Sequence, residues 1–130
     1  DPITLGQSSH GGIRNLALFD VIVNNTDRKF GHILPKSESE ILGCDHGVTF
    51  HEDFKLRTVI WQFAGEPLLP FERERLTGLQ RWLANEGSDV LLELITQNEI
   101  DATAARIEEL LTAGYPLPSE EWPAVPWPPV

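Results

Sequence analysis

Residues 23–34 read VNNTDRKFGHIL, and residues 41–47 read ILGCDHG. The first stretch is the exit from an apolar run, Ile13 to Val23, in which Ile13, Leu16, Ala17, Leu18, Phe19, Val21, Ile22 and Val23 make eight apolar residues of eleven. A segment apolar nearly all round is predicted to be a central, buried helix. Its β-branched content leaves a buried strand as the alternative. Asn24-Asn25-Thr26-Asp27 ends the run with side chains that hydrogen-bond their own backbone and favour turns. His32–Leu34 and Glu40–Cys44 read as two short strands, and the turn cluster Pro35-Lys36-Ser37-Glu38-Ser39 makes them a hairpin. That hairpin leaves from His32 and returns to Asp45, so these two residues are expected side by side, with Asp27 in the loop just before.

Upstream, residues 1–12 are turn-rich and read as irregular. Downstream, residues 48–71 also read as irregular, tied down by Leu56, Val59, Ile60, Trp61 and Phe63. Leu76, Leu79, Trp82 and Leu83 recur at helical spacing and predict a helix over Glu72–Asn85 closed by Gly87. Ser88 is placed to cap a short helix reaching Ile95. Thr96-Gln97-Asn98-Glu99 has the pattern of a capping box. It opens a helix with Ile100, Ala104, Ile107 and Leu111 on one face, stopped by Gly114. Residues 115–130 hold six of the ten prolines and two of the four tryptophans, and are expected to be extended. Pro123-Ala124-Val125-Pro126 fits an adaptor-ligand pattern. The favoured expectation is that Trp122 or Trp127 packs this tail back onto the domain, because exposed indoles promote association. The predicted class is mainly α with a small β-hairpin, one domain over 13–114 between an irregular start and a Pro/Trp-rich tail.

At 130 residues the chain suits one domain. Its net charge of −10 is concentrated in residues 66–130, where 12 acids face 4 bases. Such a surface opposes non-specific binding to nucleic acid and to anionic bilayers. No apolar run approaches the roughly 20 residues of a membrane helix. One cysteine, Cys44, excludes an internal disulfide and a cysteine-built zinc site. It reads as a small core residue. Asp1-Pro2 opens the chain without a basic or apolar leader, and no methionine occurs. A cytoplasmic location and a piece of a longer protein are therefore expected.

Phosphoryl transfer from a nucleotide requires a carboxylate that orients or deprotonates the attacking hydroxyl, a cation near the transferred phosphate, and ligands holding divalent ions across the β- and γ-phosphates. Asp27 suits the first role and Lys29 the second, while His32 and Asp45 suit the third. Arg28 and His46 are further candidate contacts to phosphate or substrate. With His46 and His51, the same residues could instead form a transition-metal site of a metal-dependent hydrolase.

These residues resemble the C-terminal lobe of the kinase superfamily, closest to its phosphatidylinositol 3- and 4-kinase-like branch and bacterial relatives. In that branch a buried helix runs into an Asn-x-Asp-Arg loop, here Asn25-Thr26-Asp27-Arg28. Lys29 lies two residues after Asp27 and His32 five after, where protein kinases carry Lys and a metal-binding Asn. Asp45-His46-Gly47 stands 18 residues after Asp27, in the place of Asp-Phe-Gly. The resemblance implies a C-lobe whose catalytic loop is 24–32 and whose metal loop is 45–47. It implies ATP with Mg²⁺ or Mn²⁺ as cofactor, an acceptor of unspecified class, and an N-lobe, absent here, to cover the nucleotide. Imidazole at position 32 suits Mn²⁺ better than an amide would. A catalytically silent pseudokinase or interaction module is the alternative from a different class.

Overall fold

The computed structural model describes residues 1–130. Seven elements follow in order: α1 (Pro2–Gly6), α2 (Gly11–Val23), β1 (Ile33–Pro35), β2 (Ile41–Gly43), α3 (Pro70–Trp82), α4 (Ser88–Leu91) and α5 (Gln97–Ala113). The chain is thus mainly helical with one small sheet. No helix is long and apolar enough to cross a membrane.

The apolar run is a helix, not a strand. His10 caps α2 by accepting the Gly12 N–H at 2.9 Å, and Asn24 ends it in the left-handed conformation, φ 56°. Ile13, Ala17, Leu18 and Val21 enter the core, where they meet Ile33, Leu56, Ile60, Phe63, Leu76, Ile107 and Leu110. β1 and β2 pair antiparallel with Ile33 opposite Gly43 and Pro35 opposite Ile41. β1 is shifted one residue later than the sequence suggests and β2 is two residues shorter, and His32 falls in a 3₁₀ turn, Phe30–His32, just before β1.

Three local expectations are corrected. First, residues 2–6 form a helical turn within the segment read as irregular. Asp1 caps it and Pro2 occupies its first turn. Gln62 Nε2 satisfies its far end by donating to the Gly6 carbonyl at 2.7 Å and the Ser8 carbonyl at 2.9 Å. That partner is 56 residues away from Gly6, so no local signal announces it. Second, Gly87 does not close a helix. It is buried in the right-handed helical conformation at the start of α4, and the break after α3 falls instead at Asn85, whose φ −118° and ψ −109° leave the helical region. The Trp82 indole lies where a Cβ would project from Gly87, so close packing is what requires glycine there. Third, Ser88 is no N-cap. Its hydroxyl donates back to the Leu83 carbonyl, and α4 ends at Leu91.

The capping box of α5 forms as expected. Thr96 Oγ1 accepts the Glu99 N–H at 3.1 Å, and a Glu99 carboxylate oxygen accepts the Thr96 N–H at 2.8 Å. Beneath α2 and α3 lies a buried ion pair. The Arg14 guanidinium grips Glu72 through two hydrogen bonds of 3.0 Å, and the Tyr115 hydroxyl donates to the same carboxylate at 3.1 Å. Burial pushes the Glu72 carboxyl up, but the donors Arg14, the Leu69 N–H and Tyr115 outweigh it and hold the group below its usual range.

The tail has no regular element, yet it is docked. Trp122 is partly buried against Phe54, with ring centroids 5.9 Å apart. The Ala124 carbonyl accepts from the Thr58 N–H and from Trp61 Nε1, each at 3.0 Å. The Pro129 carbonyl accepts the Phe30 N–H at 2.9 Å, which fastens the tail to the turn carrying His32. Trp127, by contrast, is 88% exposed.

Candidate metal centre

The loop after α2 is held from both sides. Asn25 Oδ1 accepts the Asp27 N–H at 2.9 Å, a side-chain-closed turn that sets the direction of Asp27. Asn24 reaches the segment beyond Asp45, donating to the His51 and Asp53 carbonyls at 3.0 and 2.6 Å and accepting the Lys55 N–H at 2.9 Å. Arg28 and Thr58 form a parallel bridge that fixes the loop against residues 57–59.

Arg28 corrects a sequence expectation. Its charge suggests a contact to phosphate, but the side chain is fully buried. The guanidinium grips Asp20 through three contacts of 2.9–3.2 Å and donates to the Cys44 carbonyl at 3.0 Å. One side chain thus ties α2, the Asp27 loop and the residue before Asp45 together. Burial pushes the Asp20 carboxyl up, against the pull of Arg28.

On the open side of this staple, single ligand atoms of Asp27, His32 and Asp45 all lie within 4.8 Å of one another. His32 Nε2 is 3.4 Å from Asp45 Oδ2. The other ring nitrogen, Nδ1, lies 3.1 Å from the Asp27 carbonyl and 3.4 Å from the Lys29 nitrogen. With the proton on Nε2, that N–H faces the Asp45 carboxylate and Nδ1 accepts the Lys29 N–H; with the proton on Nδ1, donated to the Asp27 carbonyl, the Nε2 lone pair faces Asp45 and is free for an ion. The latter is the arrangement by which an outer hydrogen bond orients a metal-binding histidine. Neighbouring ligands of a cation with bonds of about 2.1 Å stand about 3 Å apart, and opposite ones about 4.2 Å apart. The 4.8 Å limit exceeds the opposite-ligand spacing by about 0.6 Å, so side-chain movements of that order would close the three groups on a divalent ion, and their O, N, O donor set suits Mn²⁺. Lys29 Nζ lies 3.9 Å from Asp27 Oδ1, at the edge of ion-pair range.

Asp45 adopts φ 60°, a left-handed conformation that aspartate tolerates better than most residues. The Cys44 N–H donates to the His32 carbonyl at 3.0 Å, so the sheet register itself brings residues 32 and 45 together.

His46 and His51 stand outside the cluster. The exposed His46 ring meets Phe19 edge-on at 5.1 Å. His51 Nδ1 accepts the Asp53 N–H at 2.9 Å. The histidine-rich hydrolase site is therefore not assembled. Cys44 is half-buried just past β2 and serves through its backbone. Sequence reasoning overlooked Asp20, and it read Asn24 as a local turn residue although its side chain bonds across to residues 51–55. The available signal was Asp20 itself, an acid in the otherwise apolar stretch Leu16 to Val23, because a buried acid needs a cation.

No protein-family model matches the chain, and no solved structure matches it. Protein Rv2133c of Mycobacterium tuberculosis is 36% identical over 129 residues, which cover 98% of this chain and 46% of that protein. The chain therefore spans about half the length of the curated relative it matches.

Proposed function

We propose that this chain carries the metal and proton-transfer side of an ATP-dependent phosphotransferase of kinase-like descent. The observation supporting this is the convergence of Asp27, His32 and Asp45, with Lys29 beside Asp27. In this reading Asp27 orients the acceptor hydroxyl and takes its proton, and Lys29 stabilises charge on the transferred phosphate. His32 and Asp45 hold a divalent ion, which when bound neutralises charge on the nucleotide's β- and γ-phosphates. Arg28 has no direct part and acts as the staple beneath. More than half of Rv2133c lies outside the match, which leaves length for a second lobe over the nucleotide in a protein of that size.

Titration calorimetry with Mn²⁺ and Mg²⁺, with and without ATP, tests the site. Mn²⁺ is expected to bind at least as tightly as Mg²⁺, and His32→Ala and Asp45→Asn are each expected to weaken it about ten-fold or more. Mn²⁺ affinity unchanged in both variants would remove the reading. Because position 32 is an imidazole, a metal-binding module without phosphotransfer is the second reading. In a longer chain that carries such a second lobe, metal binding that does not respond to ATP favours it.

A further inference from the structure

A cavity of about 460 Å³ opens between α5 and the start of the tail, within the size range of small-molecule sites. Its walls are largely apolar, with Val21, Phe54, Leu110 and Leu117 among them, and its charged lining residues are Arg106 and Glu109. Glu109 is exposed to solvent, whereas Arg106 retains only 8% of its surface.

Arg106 has no counter-charge. Its Nε donates to the Ile22 carbonyl at 3.0 Å, Nη1 to the His51 carbonyl at 3.2 Å, and Nη2 to Thr103 Oγ1 at 3.0 Å. All three acceptors are neutral, and none of the chain's ion pairs includes this residue. A guanidinium offers five N–H groups, so one on each Nη is left over after these three bonds. The bond to Ile22 caps the C-terminal end of α2 and accounts for a donor there. It does not account for a full buried charge beside an apolar cavity, since buried cations are ordinarily paired. Burial pulls the guanidinium down to about 10, the direction expected of a cation lacking its anion.

We propose that the cavity binds a small amphipathic carboxylate, of the class of a medium-chain fatty acid, with its head on the spare Nη donors of Arg106 and its hydrocarbon against the apolar wall. The site is distinct from the metal centre and does not depend on the phosphotransfer reading. It does touch the same loop. The His51 carbonyl held by Arg106 also accepts from Asn24 Nδ2 at 3.0 Å, and Asn24 opens the loop that carries Asp27.

Calorimetric titration of the full chain with octanoate, octanol and octylamine tests the proposal. Octanoate is expected to saturate a single site at least about ten-fold more tightly than octanol, because charge-assisted hydrogen bonds are the stronger ones. Octylamine is expected not to bind. Arg106→Gln keeps a donor for the carbonyls and removes the charge, so it should erase the preference for octanoate. Ala113→Trp, at an exposed position on the cavity wall, should abolish binding of both while leaving the melting temperature in place. Should Arg106→Gln fail to fold, the octanoate-to-octanol ratio and Ala113→Trp decide the matter. Equal affinity for octanoate and octanol, absence of saturable octanoate binding, or octanoate binding that survives Ala113→Trp would each overturn the proposal.

Discussion

Replacing Arg28 by alanine removes the one side chain that touches α2, the Asp27 loop and the backbone before Asp45. Both partners of the pair are essentially sealed from solvent, with side-chain exposures of 0% for Arg28 and 1% for Asp20. The variant strands a buried carboxylate and leaves the Cys44 carbonyl without its donor. Breaking a buried ion pair from one side costs about 3–5 kcal/mol, against a whole-domain stability of about 5–15 kcal/mol. With a urea slope of about 1.5 kcal/mol/M, a loss of about 4 kcal/mol moves the unfolding midpoint down by about 2.7 M. The loss should shrink as the pH falls, because Asp20 without its cation takes up a proton more readily. The double variant Asp20→Leu/Arg28→Met should recover much of the stability, since apolar groups of similar volume can replace a buried pair. The assay is urea denaturation followed by tryptophan fluorescence. A cost below about 1 kcal/mol, the value of an exposed ion pair, would refute the staple.

Three further outcomes are expected. Trp122→Ala should lower stability by about 2 kcal/mol, whereas Trp127→Ala should stay within about 0.5 kcal/mol, as thermal melts of the two variants will show. Stability should fall on acidification below about pH 4, because Glu72 and Glu99 are both held below their usual range and bind fewer protons folded than unfolded. Their contribution is complete above the unfolded pKa and lost as pH drops through the folded one. A Glu72→Gln chain should show a shallower acid limb in a pH series of melts, and an unchanged limb would exclude that carboxylate as a source. Gly87→Ala should destabilise by about 1–3 kcal/mol through the Trp82 ring, although alanine is the better helix former. A gain in melting temperature there would mean the ring yields freely.

Local chemistry made much of this protein legible. The run from Ile13 to Val23 could be placed as a buried segment because composition alone demands it. The capping box at Thr96 was readable because its donors and acceptors lie within four consecutive residues. The meeting of His32 with Asp45 could be anticipated because a hairpin's ends are neighbours by construction. The same reasoning placed Asp27 nearby, and the geometry brings all three within 4.8 Å.

What local pattern could not carry was the direction of long side chains and the burial of charge. Arg28 and Lys29 are adjacent and chemically alike in sequence, yet one is sealed against Asp20 and the other reaches toward Asp27. The difference comes from the pairing of Arg28 with Thr58, which turns alternate residues to opposite faces. Trp122 and Trp127 likewise share composition and context, and only the docking of the tail decides which indole is covered. The helical turn at Pro2–Gly6 depends on Gln62, and the buried charge of Arg106 depends on carbonyls 84 and 55 residues away. Sequence alone therefore determined where chain direction changes and which residues the hairpin brings together. Tertiary packing decided which charges work at the surface and which hold the scaffold, because desolvation is a property of neighbours distant in the chain.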